Sequence, residues 1–137
     1  MVQCIEVTTY SRLTIYICPD IYIGMRPESF LPLKTNWFHI LLSLSDQEQH
    51  GYGIMNEVLA RTDGKLRLWP ATLYGTLKRL IDEGLIEESD DRPAPELDDA
   101  RRRYYRLTRL GKNVLAAESE RLNELVAMLR KRRLEEL

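Results

Sequence analysis

The middle of the chain contains side chains of the types that bind phosphate groups and read base edges. Its basic residues fall into two acid-free groups, although the net charge of the protein is only -1. The first group is Lys65, Arg67, Lys78 and Arg79, and the second is Arg101, Arg102, Arg103, Arg106, Arg109 and Lys112. Residues 82–99, between them, carry nine acids and one base. Because segregated cations can form basic patches on a neutral protein, this pattern is compatible with a nucleic-acid partner.

The first basic group overlaps a segment with the period of an amphipathic helix. Pro70 suits the first turn of a helix, and Gly84 ends the pattern. One face is apolar and comprises Leu73, Leu77, Leu80 and Ile81. The residues predicted to contact DNA from the other side and its flank are Thr72, Tyr74, Gly75, Thr76, Lys78 and Arg79. Their hydroxyls and charges suit base edges and phosphates, although each residue taken singly also fits a solvated helix surface.

Two further helices and a hairpin are predicted around this segment. Apolar spacing predicts a first helix from Leu33 to Leu44 and a second from Gly51 to about Thr62. Strands are predicted at 85–89 and 103–107, joined by a long polar tip. This is the order of a winged helix-turn-helix, whose third helix enters the major groove of DNA. The predicted fold class is therefore mainly α with a small β-hairpin wing.

Three adjacent arginines follow the tip of the predicted wing. Arg101, Arg102 and Arg103 are expected to contact phosphates or a narrow minor groove. Strand alternation places Arg102 on the face opposite the other two, so only one or two of them are expected to meet DNA. The others can pair with Asp98 or Asp99. We expect the acidic tip itself to lie beside the DNA backbone, since it would repel phosphate.

The C-terminal segment predicts a long helix that needs a partner. Thr108 can cap a helix of about 25 residues, and the apolar stripe of this helix has no obvious core of its own. A second copy of the chain is the simplest supplier of the missing surface. The residues predicted at the dimer interface are Trp37, Leu41, Leu115, Leu122, Leu125, Val126 and Leu129.

Residues 1–24 have the period of strands instead. Apolar residues alternate with others from Ile5 to Ile23. One explanation is that Met25 is the biological start and that residues 1–24 are translated upstream sequence. The predicted organisation is a strand-like or disordered extension at 1–29, a winged helix-turn-helix domain at 30–108 and a dimerisation helix at 109–137. No long apolar run and no secretory signal are recognisable, so we expect a cytoplasmic protein without a membrane partner.

Three motifs resemble those of the PadR family of transcriptional regulators. They are His50-Gly51-Tyr52-Gly53-Ile54, then Thr72-Leu73-Tyr74-Gly75-Thr76-Leu77-Lys78-Arg79-Leu80 with Glu83-Gly84-Leu85-Ile86, then Arg102-Arg103-Tyr104-Tyr105-Arg106-Leu107-Thr108-Arg109-Leu110-Gly111. The resemblance spans residues 33–129 and implies a dimeric repressor of the short C-terminal-helix type that binds a palindromic promoter site. It also implies that Tyr52 is a structural aromatic under the third helix and that Tyr104 and Tyr105 anchor the second strand of the wing. Gly75 departs from the proline of many members, which is expected to loosen the helix by about 1 kcal/mol.

Enzyme chemistry has little support in the sequence. His39 and His50 do not stand at the spacing of a metal site, and Gly51-Tyr52-Gly53 is followed by Asn56 where a dinucleotide loop needs glycine. The paired acids lie in the polar tip, where nothing would shift a pKa. We therefore expect no catalytic residue, no metal and no cofactor.

Two alternatives remain open from the residues. A winged-helix module that binds a protein without specific DNA contact is the alternative function, and it is expected to carry acids or large apolar residues on the third helix. An unidentified apolar effector could bind between the helices of a dimer. The residues available to line its pocket are Trp37, Phe38, Met55 and Trp69, which also fit an ordinary core.

Overall fold

The structure, a computed structural model, describes residues 5–10, 13–18, 21–89 and 103–132. The chain divides into two compact units. One unit comprises Leu33–Leu115, and the other comprises Met1–Pro32 together with Ala116–Leu137. None of the described helices combines the length and the apolar character of a membrane-spanning segment.

An antiparallel sheet forms the N-terminal part of the second unit. Its strands are β1 (Ile5–Tyr10), β2 (Leu13–Cys18) and β3 (Ile21–Met25), in the order β1-β2-β3. Ile5 pairs with Ile17, and Ile15 pairs with Met25. The strand period predicted from the sequence of this segment is confirmed. A short 3-10 helix, Pro27–Phe30, follows it.

Three helices form the core of the Leu33–Leu115 unit, as the apolar spacing predicts. They are α1 (Thr35–Asp46), α2 (Gly51–Arg61) and α3 (Pro70–Asp82). The side chains that are almost fully buried include Ile40, Leu41, Ile54, Val58, Leu73, Leu77 and Leu80. Leu41, which the sequence places at a dimer interface, lies in this core with no exposed surface, because α1 turns it toward the other two helices.

A polar network joins α1 to α2. The Arg61 guanidinium donates hydrogen bonds to the His39 carbonyl oxygen at 3.3 Å, to Ser43 Oγ at 2.8 Å and to Glu57 at 2.9 Å. Burial and the nearby charge of Arg61 lower the pKa of His39. His39 is thus a structural residue of α1, in agreement with its spacing in the sequence.

A second small sheet provides the predicted wing. Its strands are β4 (Gln49–His50), β5 (Ile86–Ser89) and β6 (Tyr104–Leu107), in the order β4-β6-β5. The two-residue strand β4 is an addition to the predicted hairpin, and it pairs Gln49 with Tyr105 and His50 with Tyr104. Both tyrosines are buried, at 7% and 5% exposure, which agrees with an anchoring role.

The last helix, α4 (Arg109–Lys131), begins at a tightly packed junction. Thr108 Oγ1 accepts a hydrogen bond from the Gly111 amide at 3.1 Å and donates one to the Gly84 carbonyl oxygen at 2.6 Å. This confirms Thr108 as the cap of the helix. The Gly111 backbone lies so close to the Leu85 carbonyl group that an added Cβ would overlap it.

Candidate nucleic-acid interface

The outer face of α3 has the orientation that the helical period predicts. Leu73, Leu77 and Leu80 are at most 1% exposed, and the opposite side of the helix meets solvent. Thr72, Tyr74, Gly75, Lys78 and Arg79 are exposed and Thr76 is half-buried, and these six residues are called the outer face of α3 below. None of them is acidic, so the face has a net positive charge.

The two cations of this face have no acidic partner among the residues that the structure describes. Neither Lys78 nor Arg79 forms an ion pair with any residue in the described parts of the chain. A cation that is not already neutralised can replace the counterions of a DNA phosphate. These two side chains therefore have the electrostatics needed for contact with DNA.

Thr76 is constrained by its own helix. Its Oγ1 donates a hydrogen bond to the Thr72 carbonyl oxygen at 2.8 Å. The hydroxyl proton is thus occupied, and the oxygen keeps acceptor capacity only. Thr76 can accept a hydrogen bond from the exocyclic amino group of adenine or cytosine, whereas it cannot donate one to a phosphate without breaking this bond.

Tyr74 packs on the flank of α3 against the start of α2. An added Cβ at Gly51 would lie 3.0 Å from the Tyr74 hydroxyl oxygen and 3.1 Å from its ring, so a larger residue there would require Tyr74 to shift by a few tenths of an ångström. The resemblance to the PadR family implies that Tyr52 is a structural aromatic under the third helix, and the exposure of its side chain contradicts this. Tyr52 is 59% exposed and stacks on His50, with 6.5 Å between ring centroids. The helical period of α2 could not show which tyrosine the glycine accommodates.

The two described cations of the wing, Arg103 and Arg106, both pair with glutamates. Arg103 lies 3.3 Å from Glu88, and Arg106 lies 2.8 Å from Glu87 and 3.7 Å from Glu48. Arg103 thus pairs with the neighbouring strand. Four further residues named in the predictions for the wing lie outside the described residues: Asp98, Asp99, Arg101 and Arg102. Burial, together with the charges of Glu88 and Tyr74, raises the pKa of Tyr105 in the second strand of the wing.

An open cleft lies between the start of α1 and the outer face of α3. Its volume is about 460 Å³. The lining residues are Lys34, Thr35, Asn36, Trp37, Ala71, Thr72, Gly75, Thr76 and Arg79. Lys34, Thr35 and Asn36 were not predicted as site residues, although they form a polar run between Leu33 and Trp37 of the apolar stripe of the first helix. Of the four residues suggested for an effector pocket, this cleft contains Trp37 alone.

Comparison with known proteins gives a consistent family. Residues 40–117 match the model of the transcriptional regulator PadR-like family. The transcriptional regulator Rv3488 of Mycobacterium tuberculosis is 39% identical over 87 residues, which are 64% of this chain and 75% of that protein. An uncharacterised protein of Lysinibacillus sphaericus is 34% identical over 77 residues, which are 56% of this chain and 68% of that protein.

Solved structures show the same fold. A PadR family transcription regulator from Clostridium difficile superposes with a TM-score of 0.58 at 24% identity, over 72% of this chain and 97% of that one. PadR of Bacillus subtilis, solved in complex with operator DNA, superposes with a TM-score of 0.51 at 27% identity. That match covers 63% of this chain and 46% of the Bacillus protein. The winged-helix fold with a C-terminal helix is therefore confirmed.

Proposed function

Since the chain belongs to the PadR-like family of transcriptional regulators, which are not enzymes, we propose that it is a dimeric repressor that binds a palindromic promoter site with α3 and the wing. The observation that carries this proposal is the outer face of α3. Lys78 and Arg79 extend from it without an acidic partner in the described part of the chain, beside the hydroxyl groups of two threonines. This is the combination that phosphate contact and base readout require.

The proposed base contacts come from Thr72, Thr76 and Arg79, and Lys78 is proposed to neutralise a phosphate. Gly75 has open space where a Cβ would be, so the helix backbone can approach the groove closely at this point. Tyr74 is proposed to hold the flank of the helix, since it packs on Gly51. Of the wing arginines, Arg101, Arg102 and Arg103 remain proposed phosphate contacts, with Arg103 the weakest because it already pairs with Glu88.

A second copy of the chain is proposed to cover the apolar stripe of α4. Leu122, Leu125, Val126 and Leu129 recur at the spacing of one helix face and are 37–49% exposed, which is unusual for such large apolar side chains. Leu115 and Trp37 are half-buried and can contribute at the edges, whereas Leu41 has no surface to offer. A two-fold dimer presents two α3 helices, and this symmetry matches a palindromic site.

Fluorescence anisotropy with a labelled fragment of the DNA upstream of the chain's own gene tests the DNA-binding proposal. The titration is repeated from low to near-physiological salt against a scrambled duplex of the same composition. We expect nanomolar binding to the native fragment that survives physiological salt. Equal, salt-sensitive binding to both duplexes would contradict a sequence-specific regulator and favour the alternative of a protein-binding winged helix.

Analytical ultracentrifugation tests the dimer. Leu125→Lys and Val126→Asp each place a charge in the proposed interface, where it would be buried without a partner. We expect the wild-type chain to sediment as a dimer and both variants as folded monomers. Glu124→Lys, an exposed neighbour on the same helix, is the matched control and should remain dimeric. A monomeric wild-type chain would exclude this interface.

A further inference from the structure

The cleft beside α3 is the feature that the DNA-binding proposal leaves without a role. One wall is the outer face of α3, with Thr72, Thr76 and Arg79. The other wall is the first turn of α1 and the residue before it, with Lys34, Thr35 and Asn36. Lys34, directly before α1, and Arg79 on α3 therefore line one open space, and none of its described lining residues is acidic.

The lining chemistry suits a phosphodiester better than an apolar molecule. Lys34 and Arg79 supply positive charge, and Thr35 and Asn36 supply neutral hydrogen-bonding groups. Among the described lining residues, Trp37 is the single aromatic side chain. An apolar effector would need a mostly hydrophobic enclosure, and this cleft is open and largely polar.

The side chain of Lys34 is restrained by a contact with Trp37. Its Nζ lies 5.5 Å from the centroid of the Trp37 ring, in the geometry of a cation–π contact. In the described parts of the chain this ammonium group has no acidic partner. Because the contact restrains a side chain that is otherwise flexible, less conformational entropy is lost when the ammonium group meets an anion.

We infer that this cleft binds a phosphodiester of the DNA backbone and that Lys34, with Thr35 and Asn36, forms a second DNA-contacting element beside α3. The inference rests on the proposed function, since it places the duplex against the outer face of α3. A backbone contact is independent of base sequence, so Lys34 contributes affinity and register rather than specificity.

Lys34→Ala is the variant that tests this contact. One phosphate contact steepens the plot of log affinity against log salt concentration by about 0.9. At 0.15 M salt, the affinity with this contact is then roughly fivefold higher than the affinity without it. We expect Lys34→Ala to lose this amount on native and scrambled duplexes alike, and Lys34→Arg to retain it. Lys131→Ala, which removes one charge from an exposed residue at the end of α4, is the control and should keep the wild-type slope.

The failures of the two proposals are distinguishable in this titration. If Lys34→Ala behaves like Lys131→Ala while the native fragment is still preferred, the cleft contact is wrong and the regulator remains. If the wild-type chain shows no preference for the native fragment, sequence-specific regulation is wrong, and the slope on the scrambled duplex still decides the role of Lys34. An absence of binding to any duplex overturns both.

Trp37 provides an independent readout inside the cleft. The chain has two tryptophans, and Trp69 is 61% exposed, so Trp69→Phe leaves Trp37 as the sole tryptophan fluorophore. We expect DNA to change the emission of Trp37 in this variant, and Lys34→Ala to reduce that change. Unchanged emission at saturating DNA would overturn the inference. Inorganic phosphate at matched ionic strength is the competing source, and an equal response to it alone would assign the cleft to a free anion instead.

Discussion

Two regions of the protein that are both expected to approach DNA each carry a pair of described basic residues. They are Lys78 and Arg79 on α3, and Arg103 and Arg106 in the wing. On α3 the nearest acidic position in the helix is its last residue, Asp82, and neither cation forms an ion pair with the described residues. In the wing both arginines face glutamates of the neighbouring strands. The two pairs carry the same formal charge. Among the described residues, the cations of α3 are therefore more available to DNA than those of the wing, because Arg103 and Arg106 already pair with glutamates.

Gly111→Ala, which disturbs the attachment of the wing to α4, is expected to have the largest effect. Gly111→Ala would force a Cβ into the Leu85 backbone, directly before β5, and backbone cannot rotate away as a side chain does. We expect a loss of stability at the upper end of the roughly 1–3 kcal/mol typical of overpacking. Chemical denaturation followed by circular dichroism measures this loss. Lys112→Ala at the next, exposed position is the control and should leave the denaturation midpoint unchanged within error.

Arg79→Ala and Arg106→Ala compare the two regions directly. Loss of Arg79 is expected to cost about 1–3 kcal/mol of binding free energy and to reduce the salt slope, because the side chain meets DNA without competition. Arg106→Ala removes the same formal charge from a residue paired with Glu87, so we expect less than about a threefold loss. Anisotropy titrations at several salt concentrations measure both variants. Equal losses would show that pairing in the wing does not limit its contribution.

Gly75→Ala separates folding from binding on α3. Because the added methyl group meets open space, the substitution should raise stability by about 1 kcal/mol through helix propensity alone. The same methyl group lies on the outer face of α3, where it should keep the backbone away from the groove and weaken binding severalfold. Thermal unfolding and anisotropy are measured on the same preparation. A variant that is more stable and binds as tightly as wild type would remove Gly75 from the interface.

Glu88→Gln is expected to have the smallest effect on DNA affinity. It tests the comparison of α3 with the wing because it releases a wing cation, Arg103, from its ion pair. The substitution abolishes the ion pair with Arg103, whose side chain is 73% exposed, while it keeps the size of residue 88. We expect affinity for DNA to rise by about twofold to threefold with a steeper salt dependence, as one more cation becomes available. Glu120→Gln on α4 serves as the control for the change in net charge. A rise of equal size in both variants would point to the overall field of the protein instead of Arg103.

The helices were predictable because each has one strong apolar stripe. The outer face of α3 followed from that stripe, since burial of Leu73 and Leu77 fixes the opposite side of the helix. The cleft was not predictable, because Lys34 and Arg79 are 45 positions apart in sequence and meet only through packing of α1 on α3. The two-residue strand β4 could not be predicted for a related reason. It is too short to show a strand period and forms only through its pairing with β6.

The pairing of the wing arginines could have been predicted from the sequence together with the register of the hairpin. Glu87 stands directly opposite Arg106 in the register of β5 and β6. Opposite charges at such a position attract one another across the ladder. The predicted hairpin already contained both residues, and only its register was missing. The tyrosine on Gly51 is different, because a choice between Tyr52 and Tyr74 depends on the angle between α2 and α3.

The separation of the two sides of α3 has a consequence for how the protein can be retargeted. Leucines on one side hold the helix in the core, while Thr72, Gly75, Lys78 and Arg79 on the other are exposed. Substitutions at these four positions can therefore alter recognition with little penalty in folding, whether they arise by drift or in a randomised library. With the proposed function, a new operator preference is accessible through few mutations, and Tyr74, which packs on Gly51, is the position on this face where such a library should be kept fixed.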